Sequence, residues 1–153
     1  MAATLTWGVK ESFRGYVEGA GGSIEVGGGA ERGADGAFAF EAAPGAGLRL
    51  GADGKPQGRG GFVGEVRFEA HGGMLKVFLA DPTIEIFPTA TVITVADSEE
   101  RDVRVELATL DLAGATRDGG QLVIPAKLAK DGWRVLGDHY APGTPLDPVR
   151  LTL

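Results

Sequence analysis

A mainly β domain, sandwich or barrel, with an N-terminal helix is the fold class this sequence predicts, and three features predict it. The 26 glycines are scattered without a period, so they punctuate many turns rather than form collagen or a linker. Short stretches of alternating apolar and polar residues recur between Gly, Pro and Asp, a spacing that indicates many short strands rather than βαβ units. Two segments only break the alternation with a helical pattern. At 153 residues with 43% hydrophobic content, the chain reads as one globular domain, 1–153, able to bury about two-thirds of its unfolded surface.

In chain order, the first segment is helical. Leu5, Val9, Phe13, Tyr16 and Val17 recur at helical spacing, Thr6 is a suitable N-cap, and Gly19, Ala20, Gly21 and Gly22 stop the run. This predicts a helix of about three turns. Ser12, Phe13 and Tyr16 would share one of its faces, because residues three and four apart are neighbours. Alternation then marks strands at 23–26, 37–40, 62–68, 75–79, 83–86, 91–95, 103–107 and 149–153. The clearest is 62–68, where Phe62, Gly64, Val66 and Phe68 would face one side and Glu65, Arg67 and Glu69 the other. Gly72 and Gly73 suit a hairpin that needs positive φ, which places His71 at a strand end or in the turn. Residues 29–36 and 43–61 read as loops, and the mixed-charge run 97–102 as a solvated turn. The second helical candidate spans 125–135: Pro125 suits a first turn, Ala126 to Lys130 favour helix, and Asp131-Gly132 ends it.

The composition removes several function classes. A net charge of −6 without a basic cluster argues against a nucleic-acid partner, since phosphate binding needs a basic face. With no cysteine there is no disulfide, thiolate metal site, Fe–S cluster or cysteine nucleophile. No apolar run reaches the roughly 20 residues of a membrane span, and the first nine residues lack the basic start and long apolar stretch of a signal peptide. A cytoplasmic location is therefore expected of the chain as it stands, and a cell-envelope or secreted one if it is part of a longer protein. No phosphate loop or dinucleotide fingerprint is present.

What remains rests on two histidines, His71 and His139, and two tyrosines, Tyr16 and Tyr140. Two histidines apart in sequence are a poor start for a tetrahedral zinc site. A Ser-His-Asp triad could be written from His71, an Asp and Ser12, Ser23 or Ser98, but no GxSxG elbow accompanies it. On residue pattern alone, Tyr16 is a core aromatic with its hydroxyl at the surface, and His71 an exposed turn residue.

Three blocks in order add a further reading. Residues 5–17, LTWGVKESFRGYV, resemble the opening of the HtaA-type domain, the haem-transport-associated module of actinobacterial haem-uptake proteins. Residues 66–75, VRFEAHGGML, followed by Leu79-Ala80-Asp81-Pro82, resemble that family's central strand and turn. Ile124 to Leu128 and then His139 to Pro148, HYAPGTPLDP, are similar to its close. The resemblance implies an antiparallel β-sandwich-like domain with an N-terminal helix and one or two further short helices, binding ferric haem b between the helix and the His-bearing hairpin. It places the iron-ligating tyrosine on Tyr16, its hydrogen-bonding histidine on His71, and a serine hydroxyl near the haem edge on Ser12.

The chemistry agrees with that placement. A phenol, with a pKa of about 10 in water, ligates near neutral pH only if the phenolate is stabilised, which ferric iron does. A hydrogen-bonded histidine then fixes its orientation and basicity, and tyrosinate is a known haem ligand. The sequence departs from the family at Ala70, at Gly72 and at His139, which stands where an aromatic is usual. His139 could be a sixth ligand or a distal hydrogen-bond donor. Three readings follow: a haem-uptake or relay module whose partners are haem and another haem-binding protein; a haem enzyme with peroxidase-like activity using His139; or a haem-free β-sandwich interaction module. Lys10, Arg14, Arg32 and Arg134 are the candidate propionate partners.

Overall fold

The computed structural model describes residues 3–45, 47–137 and 140–153. At the N-terminus the apolar spacing resolves into two elements instead of one three-turn helix. Strand β1, Thr4–Trp7, comes first, and helix α1, Glu11–Gly19, follows. Leu5 stands in the helical series, but pairing on both sides of the segment decides for a strand, in which Leu5 and Trp7 alternate with a period of two. They are buried on one face of β1. Val9 at φ 64 then turns the chain, and Lys10 precedes α1 without a side-chain cap. Thr6 therefore lies inside a strand and does not cap the helix.

The strands after α1 are β2 (Ser23–Gly27), β3 (Glu31–Arg32), β4 (Phe38–Ala42), β5 (Arg49–Leu50), β6 (Pro56–Gln57), β7 (Arg59–Val63), β8 (Glu65–Ala70), β9 (Leu75–Ile86), β10 (Thr91–Ala96), β11 (Arg104–Leu110), β12 (Thr116–Asp118), β13 (Gln121–Leu128) and β14 (Pro145–Thr152). Short 3₁₀ turns occupy His71–Gly73 and Gly132–Arg134. Among the described residues no helix is long and apolar enough to cross a membrane.

The fold is mainly β and antiparallel, but the expected two-sheet sandwich gives way to a closed sheet. Going round, β9, β10, β11, β13, β14, β1, β4 and β7 pair in sequence, and β7 returns to β9. Closure depends on β9, one continuous strand where two were expected. One of its edges pairs with β10, and the other pairs first with β8 and then with β7. The hand-over is a bulge. Gly64 takes φ 134, its N–H donates to Asp81 Oδ1 at 3.2 Å, and the Asp81 N–H donates to Gly64 O at 2.8 Å. A residue without a Cβ fits such a bend. The Arg104 guanidinium clamps the same place, donating to Asp81 O, Thr83 Oγ1 and Thr94 O. Its burial pushes the guanidinium pKa down. Beyond the bulge, β8 and the first half of β9 leave the barrel as a hairpin, with β2 added on the outer edge of β8.

The predicted helix at 125–135 is a strand followed by the short 3₁₀ turn at Gly132. Ile124, Ala126 and Leu128 are buried on the inner face of β13 between β11 and β14, so tertiary pairing overrides the helical preference of Ala, Lys and Leu. Pro125, which cannot donate to a ladder, sits where the register against β14 shifts. The strand expected over 62–68 is broken at Gly64 into the end of β7 and the start of β8, and the loop expected over 29–36 carries β3, but the inward face of 62–68 is as expected. Phe62, Val66 and Phe68 are buried while Arg67 and Glu69 are exposed. Residues 97–102 link β10 to β11, and the 43–61 loop carries the small β5–β6 hairpin. Trp7, Phe38, Phe62, Ile93, Leu107 and Ile124 are among the fully buried core side chains.

Candidate functional site

Helix α1 lies against the hairpin through Phe13 and Val17, both fully buried. The Phe13 ring packs edge-on against Phe68 at 5.0 Å and against Tyr140 at 6.1 Å between centroids. The face expected to hold Ser12, Phe13 and Tyr16 together is thus divided. Phe13 points into the core, while Ser12 and Tyr16 lie on the solvent side.

At its C-terminal end α1 is drawn onto β8 by Gly22, whose N–H donates to Val17 O at 2.9 Å. A Cβ on Gly22 would meet the Glu69 carbonyl oxygen and the Ala70 methyl, so glycine is what allows this close approach. The next residue after Ala70 is His71. Its φ is 54, and Gly72 and Gly73 follow at 65 and 94. Three consecutive left-handed residues make the hairpin tip, two of them the glycines the sequence offers for it.

Tyr16 and His71 meet across this gap. Tyr16 Oη and His71 Nε2 are 2.6 Å apart, and the rings are edge-on at 5.6 Å. The phenol O–H donates when the ring proton is on Nδ1, and the Nε2–H donates when the oxygen is a phenolate. Tyr16 lies on the outward side of α1, with 42% of the residue exposed. Ser12 stands one turn earlier on the exposed side of α1. His139 lies outside the described residues.

The four cations proposed for propionates are otherwise engaged. Arg14 is buried, its Nη1 donating to Gly8 O and Asp147 Oδ2, both at 2.7 Å. Lys10 Nζ donates to Pro145 O at 3.0 Å and lies 5.4 Å from the Tyr140 ring centroid. Arg32 pairs with Glu18 at 3.1 Å, and that hydrogen bond holds the Glu18 carboxyl below the usual carboxylate range. Arg134 lies over Trp133 at 5.4 Å.

One residue without an assigned role proves central to this region. Asp147 accepts the first helical N–H, that of Glu11, at 2.9 Å, as well as pairing with Arg14. Its sequence signals are its place in the 139–148 block that resembles the family's close and the lack of a capping side chain at Lys10.

The HtaA family model (Htaa) matches residues 2–152. The chain belongs to the HtaA family. Among solved structures, this HtaA domain is similar to the C-terminal domain of HtaA from Corynebacterium glutamicum, with 24% identity, a TM-score of 0.75 and coverage of 99% of this chain and 94% of that one. The N-terminal domain of the same protein gives 24% identity and a TM-score of 0.75, covering 100% and 97%. The heme binding protein HtaB from Corynebacterium glutamicum gives 22% and 0.68, covering 99% and 93%. These likenesses establish the fold. Comparison with curated proteins gives no match.

Proposed function

We propose that this HtaA domain is a haem-binding module for haem uptake or relay, which holds ferric haem b through the Tyr16 phenolate with His71 hydrogen-bonded to it. The observation that carries this reading is the 2.6 Å contact between Tyr16 Oη and His71 Nε2, made by a tyrosine on the outward side of α1. The donor set fits the group. A single protein oxygen is a poor site for a bare metal ion but suits an iron already held by four porphyrin nitrogens. Membership of the HtaA family, and the likeness to a protein described as heme binding, support the same reading.

When bound, ferric haem supplies the positive centre that stabilises a phenolate. His71 accepts the phenol proton as the phenolate forms and hydrogen-bonds to the oxygen from Nε2, fixing its direction. Returning that proton re-forms the phenol, a weaker ligand, so that haem can pass to an acceptor protein. Ser12 offers a hydroxyl on the same exposed side of α1 as the phenol. Titration with hemin is expected to give a saturable ferric tyrosinate spectrum in the wild type and to lose it in Tyr16→Phe. Unchanged affinity and spectrum in Tyr16→Phe would overturn the ligand assignment.

A further inference from the structure

We propose that Asp147 is the positioning residue of this site: it fixes the axial rotation and register of α1, and so the presentation of the Tyr16 phenol to His71. The inference rests on the haem reading above only for its consequence in binding.

Asp147 holds every part of the approach to the helix. Its backbone oxygen accepts the Trp7 indole N–H at 2.8 Å, and its own N–H donates to Val9 O at 2.9 Å. Its carboxylate then splits. Oδ1 accepts the Glu11 N–H at 2.9 Å, and Oδ2 accepts Arg14 Nη1 at 2.7 Å. The chain's own cap position, Lys10, makes no capping side-chain hydrogen bond, so the orphan N–H at the start of α1 is satisfied from the other end of the sequence. Gly8 completes the clasp, since a Cβ there would collide with Arg14 Nη1 and Asp147 Oδ2. The support behind it is β14, which pairs with β13 at Pro145, Leu146 and Val149 on either side of Asp147 and with β1 at Arg150 to Thr152.

Two attachments three residues apart prevent a nine-residue helix from turning or sliding. Tyr16 follows Arg14 by two residues, or about 200° around the axis, so the grip on Arg14 at the inner side determines where Tyr16 points on the outer side. At the roughly 6 Å radius of the helix surface, a rotation of about 20° displaces a side-chain atom by about 2 Å. That movement is enough to break the hydrogen bond to His71. Lys10 reinforces the same docking through Pro145 O and the Tyr140 ring.

The test uses the ligand-free protein first. Removing Asp147 alone strands the buried Arg14 guanidinium, so the principal variant is the pair Arg14→Met with Asp147→Ala. Amide dispersion of β13 and β14 reports the barrel, and the nuclear Overhauser cross-peak between the Tyr16 ring and His71 Hε1 reports the site. The expected result is an intact barrel, loss of the cross-peak and hemin dissociation about 10-fold faster. Asp147→Asn keeps an oxygen for the Glu11 N–H but not the charge facing Arg14, and is expected to fall between the pair and the wild type. A folded paired variant with a wild-type cross-peak and dissociation rate overturns the proposal. If the pair does not fold, Asp147→Asn decides on the same readouts, and wild-type values for both overturn it. A wild type that takes up no hemin defeats the haem reading alone, because the cross-peak still decides the role of Asp147.

Discussion

Replacing His71 separates its two contributions, one to the backbone of the hairpin tip and one to Tyr16. His71 occupies φ 54 without being glycine, a conformation that costs a residue with a Cβ about 1–2 kcal/mol. Glycine removes that strain but gives the unfolded chain freedom worth about 0.4–1 kcal/mol. His71→Gly should therefore be more stable than His71→Ala by about 0.5–1 kcal/mol, or roughly 2 °C in a domain of this size. Both variants lose the bond to Tyr16 Oη, so both should release hemin about 10-fold faster than wild type. Calorimetry measures the first difference, and stopped-flow transfer of hemin to apomyoglobin the second. The reasoning is refuted if His71→Ala is the more stable of the two, or if either variant keeps the wild-type release rate.

Gly22→Ala forces a methyl against the Glu69 carbonyl and should cost about 1–3 kcal/mol in urea unfolding; a midpoint equal to wild type would contradict the close approach. Arg104→Met removes the donors that Asp81 O, Thr83 and Thr94 O share and should cost about 2–3 kcal/mol by thermal unfolding, with a loss under half a kcal/mol counting against the clamp. Arg32 hydrogen-bonds Glu18 and makes the folded carboxyl more acidic than the unfolded one. The contribution of that pair is complete above the ordinary carboxylate range and is lost as pH falls through the folded value. Arg32→Ala should shift the Glu18 carboxyl resonance titration upward, and an unmoved titration would refute the pairing.

Strands were legible where alternation had one interpretation. Phe62, Val66 and Phe68 face inward as their spacing indicates, and the glycines after His71 take the positive φ expected of a hairpin tip. Leu5 fits the helical series as well as the alternation with Trp7, and only the pairing of this segment with β14 and β4 makes it strand. Residues 125–128 carry helix formers whose preference, tenths of a kcal/mol per residue, is outweighed by burial between β11 and β13's other neighbour, β14. Of the site, helical spacing placed Tyr16 on α1 and turn chemistry placed His71 at a tip. That they touch follows from the resemblance and from the close approach at Gly22, and no local pattern encodes it. The role of Asp147, a residue inside the matching 139–148 block, was illegible for the same reason: it caps a helix 136 residues away in sequence.

The central claim is that one of two tyrosines holds the iron. Resonance Raman spectra of the hemin complexes of wild type, Tyr16→Phe and Tyr140→Phe test it most directly. Iron-bound phenolate modes should be present in the wild type and in Tyr140→Phe and absent from Tyr16→Phe. Phenolate modes that survive in Tyr16→Phe would contradict the account.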